Sequence, residues 1–239
     1  MDDSVIIKID GLTKRFPVGS GVFTALHNIN LTFRRGEFTG LVGPSGSGKT
    51  TLLNIIGTLD CPSEGDVEVI GSSVKGLTHK QAAHLRNYNI GFIFQTYNLL
   101  QVYTVYENIE FALLLQNHTS AGRKKAVMEA LEWVGLSDKF NSKPSQLSGG
   151  ECQRVAIARA MVKRPLLVLA DEPSANLDTK NSHNIVQMMK KLNKELNTTF
   201  IFATHDEKVM HYLDRIITLK DGVVDQDRLI LMQGNQLLC

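Results

Sequence analysis

Apolar positions along this 239-residue chain follow two periods, and the switches between them outline the architecture. Residues 5–9, 29–33 and 66–69 read as short strands bounded by Gly, Asn and charged residues, which predicts an antiparallel layer near the N-terminus. Residues 38–42 read as a buried strand running straight into a glycine-rich loop. Leu52, Ile55, Ile56 and Leu59 then recur at helical spacing until Cys61-Pro62. Thr78-His79-Lys80-Gln81 and Thr104-Val105-Tyr106-Glu107 are capping-box patterns, each opening a helix. Residues 121–134 carry Val127, Ala130, Leu131 and Val134 on one stripe, so 95–161 is expected to be a mostly helical insert. Strand patterns resume at 166–170, 199–203 and 215–219, and Ile185, Met189, Leu192 and Leu196 mark a helix between the first two. Alternating strands and helices imply a parallel sheet covered on both faces, an α/β fold. Residues 225–239 are weakly patterned and read as a tail.

Three stretches carry chemistry. Gly43-Pro44-Ser45-Gly46-Ser47-Gly48-Lys49-Thr50 lies between the strand and the first helix. Its glycines let backbone N–H groups turn inward around phosphates, and the helix start adds partial positive charge. Lys49 is placed for the β- and γ-phosphates, and the Thr50 hydroxyl can ligate Mg²⁺. Thr51 follows in the same turn. Asp171 and Glu172 end the apolar run 166–170, pointing into the crevice where open α/β sheets bind ligands. Asp171 suits Mg²⁺ through a coordinated water, and Glu172 is then the candidate to polarise the water attacking a γ-phosphate. Ser148-Gly149-Gly150 opens a helix through Met161 and offers a second anion site. One chain with two γ-phosphate sites is explained most simply if the second serves a nucleotide held by another copy.

Bulk properties narrow the setting. A net charge of +2 gives no reason to expect nucleic acid. Cys61, Cys152 and Cys239 lack metal-ligand spacing and fit reduced thiols of a cytosolic protein. The acidic start Met1-Asp2-Asp3 is unlike a signal peptide, and the longest apolar runs fall far short of the ~20 residues of a membrane span. Any membrane spans are therefore expected on a partner.

With Leu147-Ser148-Gly149-Gly150-Glu151 beside the phosphate loop, the chain resembles the nucleotide-binding subunit of an ATP-binding-cassette (ABC) transporter over nearly its whole length. The resemblance implies a RecA-like α/β core with an antiparallel β-subdomain (1–94 and 162–224), a helical subdomain carrying the signature (95–161) and the tail. It assigns Gln95 to the Q-loop, near Mg²⁺ and the attacking water, and His205 to the switch histidine near the γ-phosphate. Ser174-Ala175-Asn176-Leu177-Asp178 matches the D-loop at the dimer interface, and Phe16 matches the aromatic residue stacked on adenine, where Tyr is commoner. Residues 51–57, 94–100 and 104–108 are similar to the lipoprotein-release, macrolide-efflux and cell-division branch. Cys152 in place of Gln and Ser174-Ala175 in place of Thr-Gly depart from the pattern without removing a catalytic group. The implied molecule is an ATPase acting as a head-to-tail homodimer with ATP and Mg²⁺. It would sit on the cytoplasmic face of the cell membrane, bound to an integral permease subunit. The rival is a soluble ABC ATPase: a DNA-maintenance member is disfavoured by the compact, cysteine-free span from Gln95 to Ser148, whereas an assembly factor on a soluble scaffold stays open.

Overall fold

The N-terminal strands are much longer than their alternation suggests. The computed structural model describes residues 4–204 and 207–230, and for 207–209 the backbone alone. In it, β1 (Val5–Val18) and β2 (Gly21–Arg34) form one antiparallel hairpin closed by Gly19-Ser20. Register shifts between Val5 and Ile7, Ile9 and Leu12, Leu12 and Lys14, and Lys14 and Arg15 break the two-residue period, leaving legible only the end where Ile7, Lys8 and Ile9 pair with Phe33, Thr32 and Leu31. The fully buried β3 (Phe38–Val42) leads through the glycine-rich loop into α1 (Lys49–Ile56). That helix stops earlier than its spacing implied. Gly57 caps it and Thr58 takes a φ of 55°, so Leu59 leaves the apolar stripe and is 50% exposed. β4 (Glu64–Val69) and β5 (Ser72–Ser73) complete a four-stranded sheet in the order β2-β1-β4-β5.

The middle of the chain contributes α2 (His79–Asn89), β6 (Ile90–Ile93), α3 (Val105–Glu110), α4 (Ser120–Trp133) and α5 (Gly149–Met161). Thr78 and Thr104 both form the reciprocal caps their sequence announces. β7 (Leu167–Asp171), α6 (Thr179–Leu196), β8 (Thr199–Thr204), β9 (Arg215–Lys220) and β10 (Val223–Leu229) follow. Six strands form the second sheet in the order β10-β9-β3-β8-β7-β6, parallel except for β10. β10 therefore carries regular structure into the stretch that read as a tail. Its mostly exposed, polar residues have no burial signature, and Arg215 ties it down by pairing with Asp227 at 2.7 Å and Glu37 at 3.0 Å.

The large sheet separates two cores. Along β7 and β8, Val168, Ala170, Phe200 and Phe202 pack with the helical middle and α6, whereas Leu167, Leu169, Ile201 and Ala203 pack with α1 and the β1–β5 sheet. That division is the two-residue period of a strand buried on both faces. It sets the C-terminal ends of β3, β7 and β8 side by side at one edge.

Buried Asn108 organises the approach to α3. Its side chain accepts from Leu100 N–H at 2.8 Å and donates to the carbonyls of Leu100, Tyr103 and Thr104. Asn108→Ala leaves those groups unpaired, an expected loss of about 1–3 kcal/mol. Urea unfolding monitored by circular dichroism measures it.

Candidate active site

The C-terminal edge of the parallel sheet holds a cavity of about 740 Å³ lined by residues 44–51, Gln95, Asp171, Glu172, Phe23 and Ala25. Its size lies within the range of small-ligand sites. Gly43 opens the loop at a φ of 150°, where a Cβ would lie 2.1 Å from the Leu219 carbonyl, so no larger residue fits. The Lys49 side chain is 7% exposed, bent back over the loop, and donates to the carbonyls of Gly43 at 2.8 Å and Pro44 at 3.0 Å. Helix geometry leaves the first N–H groups of α1 without intrahelical acceptors, facing this loop. Ser47 is 3% exposed, and its Oγ is a buried polar atom with no hydrogen-bond partner. These donors fit a polyphosphate.

Across the loop, the Thr50 hydroxyl donates to Asp171 at 2.9 Å. With Gln95 on the same cavity they offer only oxygen ligands, the donor set of a hard divalent cation such as Mg²⁺. Glu172 adopts a φ of 48°, a left-handed conformation that costs roughly 1–2 kcal/mol for a residue with a Cβ. Glu172 N–H bonds the Ala203 carbonyl at 3.1 Å and the Glu172 carbonyl accepts from Ala175, so two neighbours hold the turn that brings its side chain to the cavity.

The other predicted site residues fall elsewhere. Phe16 does not line the cavity. It is paired across the hairpin with Phe23, which does, and directly opposed residues share one face of the sheet. Lys14 Nζ lies 4.9 Å from the Phe16 ring centroid. The aromatic presented to the phosphate loop within this chain is Phe23, which the helical and strand patterns did not single out. His205 lies outside the described residues.

Ser148, Gly149 and Gly150 are absent from the cavity lining. Ser148 caps α5, its hydroxyl accepting from Glu151 N–H; in return the Ser148 backbone N–H and hydroxyl each donate to the Glu151 carboxylate at 2.8 Å and hold that carboxyl below the usual carboxylate range. Asp178 likewise caps α6 through Asn181 N–H at 3.0 Å. A Cβ on Gly149 would lie 3.1 Å from the Tyr97 hydroxyl and 3.7 Å from Leu177, and one on Gly150 would lie 3.2 Å from Asn181. The α5 N-terminus is thus packed against residues 97 and 177–181 of its own chain. Cys152, buried behind it, faces the Pro144 carbonyl, and burial pushes its thiol up, away from reactivity.

Two further residues hold the Gln95 segment: Asn176, which belongs to the D-loop stretch but was given no contact there, and Arg159, to which no motif pointed. Asn176 donates to the Gln95 carbonyl at 2.9 Å. Arg159 on α5 donates to the Tyr97 and Asn98 carbonyls at 2.6 Å each.

A strand-loop-helix phosphate cradle facing two strand-end carboxylates defines a P-loop nucleotide hydrolase. Residues 26–175 match the family model described as ABC transporter. The chain belongs to the ABC transporter family, as an ATP-binding domain that hydrolyses ATP. It is 43% identical over 226 residues to the uncharacterised ABC transporter ATP-binding protein MJ0796 of Methanocaldococcus jannaschii, covering 93% of this chain and 96% of that one. It is 43% identical over 221 residues to the lipoprotein-releasing system ATP-binding protein LolD 1 of Rhodopseudomonas palustris, covering 92% and 98%. The macrolide export ATP-binding/permease protein MacB of Chlorobaculum tepidum is 41% identical, and the match spans 34% of that longer protein. Among solved structures, the dimeric post-hydrolysis state of MJ0796 bound to ADP and Pi superposes with a TM-score of 0.86 at 41% identity, over 94% of this chain and 98% of that one.

Proposed function

We propose that two copies of this chain close head to tail on ATP. Each nucleotide would lie between residues 43–51 of one copy and Ser148–Gly150 of the other. The observation that carries this reading is the one-sided cavity. Ser148 and Gly149 at the start of α5 are exposed, and Ser148–Gly150 do not line the phosphate cavity of their own chain, so their anion-binding capacity serves no nucleotide held there. The dimeric MJ0796 structure supports it.

Within each site, the loop amides and Lys49 bind the β- and γ-phosphates. Phe23 and its cross-strand neighbour Phe16 form the aromatic wall for the adenine. Glu172 takes the proton of the attacking water while Gln95 and His205 orient that water and the γ-phosphate. Mg²⁺, held by Thr50, Asp171 and Gln95, would neutralise charge on the phosphate oxygens. Asp178 would meet the partner copy.

Closing and opening drives an integral membrane partner. Phe111, Leu114 and Leu115 follow α3 and are 57%, 52% and 83% exposed, with Phe111 sharing a surface hollow with Asn98 of the Gln95 segment, an apolar surface suited to such a subunit. No helix among the described residues is long and apolar enough to cross a membrane. The LolD and MacB relatives favour a partner of the lipoprotein-release or efflux kind, with the ATPase peripheral on the cytoplasmic face.

Gel filtration of Glu172→Gln tests the closure. With ATP at low Mg²⁺ the protein is expected to elute at twice its nucleotide-free mass. A monomer with ATP demonstrably bound refutes the shared site.

A further inference from the structure

The segment after Gln95 is bent in a way that ordinary side chains resist. Tyr97 and Asn98 take φ values of 60° and 49°, two successive non-glycine residues in the left-handed region. Two bonds close the turn from within, Tyr97 N–H to the Phe94 carbonyl and Asn98 N–H to the Thr96 carbonyl, and two groups from distant elements also hold its carbonyls. Asn176, just before α6, donates to the Gln95 carbonyl. Arg159, near the C-terminal end of α5, spreads its guanidinium over the two carbonyls of the bent pair, Nη2 to Tyr97 and Nη1 to Asn98. Burial pushes the Arg159 guanidinium below its usual value, as expected of a cation kept from water to serve fixed acceptors. At the other end of the same helix, Gly149 lies against the Tyr97 hydroxyl. The helix whose first residues would grip a neighbour's nucleotide therefore touches the Gln95 segment at both ends.

We infer that Arg159 is a positioning residue that sets Gln95 over the phosphate cavity, transmitting the placement of α5 to the Gln95 side chain through the Tyr97 and Asn98 carbonyls. The inference rests on the ATPase reading above and adds to it a residue that touches neither nucleotide nor partner. A planar fork holds two carbonyls in a fixed relation, whereas an ammonium holds one as a point charge, so charge alone does not replace it. A loop displaced by about 1 Å is enough to lower turnover on the order of 10²-fold while leaving nucleotide affinity, set by residues 43–51, nearly unchanged.

The test uses the full chain and three variants: Arg159→Lys, Gln95→Ala and the double variant. Arg159→Lys is expected to bind a fluorescent ATP analogue within about twofold of the parent and to lose roughly 10–100-fold in kcat. Adding Arg159→Lys to Gln95→Ala is expected to cost nothing further, because a displaced loop has no glutamine left to misplace. Losses that multiply in the double variant overturn the proposal, as does an Arg159→Lys enzyme with parental kcat. Melting temperature, read in parallel, separates this from a purely structural role, which would lower stability and act equally with or without Gln95. The dimer reading fails independently, through Ser148→Arg, so the two ideas are not confounded.

Discussion

Glu172→Gln binds ATP with unchanged affinity and turns it over about 10²–10⁴-fold more slowly, the usual cost of removing a positioned general base. The amide replaces the carboxylate with almost the same shape, so the turn that the Ala203 carbonyl and Ala175 N–H hold in its left-handed conformation persists. In the proposed site the phosphate contacts belong to other residues: Lys49, Ser47 and the start of α1 line the same cavity and would carry the binding. Phosphate release under saturating ATP, beside equilibrium binding of the same preparation, measures both halves of the expectation. Parental turnover would remove Glu172 from the chemistry, and lost binding would place it in the cradle instead.

Ser148→Arg is expected to abolish ATP-dependent dimerisation and to lower turnover on the order of 10²-fold, with the monomer still folded. Losing the α5 cap costs only about 0.5–2 kcal/mol, so Ser148→Ala, which loses the same cap without added bulk, separates capping from contact with a neighbour. Complementation is the sharper measurement. Mixing Ser148→Arg with Lys49→Ala pairs an intact phosphate loop on the first copy with an intact signature on the second. Each mixed dimer then carries one complete site, and turnover should reappear in the mixture although neither parent has it. A self-contained site predicts no such rescue. Equal rates for Ser148→Arg and the parent, with the membrane partner present, would end the shared-site reading.

Much of the site was readable because its chemistry is contiguous. Residues 43–50 specify a cradle through backbone freedom and helix polarity, local properties that survive in any context. Asp171 and Glu172 were legible because an apolar strand delivers whatever follows it to the sheet's edge. Phe23, Arg159 and the contact that Asn176 of the D-loop stretch makes were not. Each acts through a partner distant in sequence: Phe23 toward the loop from a bulged hairpin, Asn176 on the carbonyl of Gln95, and Arg159 on those of Tyr97 and Asn98. Nothing in their neighbours' periodicity marks them. The hairpin failed for a related reason, since its bulges erase the alternation by which strands are recognised. β10 was missed because an exposed edge strand has no apolar face to show.

The sequence by itself determined the helical caps at Thr78 and Thr104, the start of a helix at Ser148, and the strand and helix flanking the phosphate loop, because each depends on residues within a few positions of one another. Only the tertiary structure decided that the Gln95 segment is held between α5 and the turn before α6, that Phe23 rather than Phe16 lines the cavity, and that the α5 N-terminus lies outside the lining of its own chain's phosphate cavity. Those are relations between elements far apart along the chain, and they are set by how two cores pack on opposite faces of one twisted sheet.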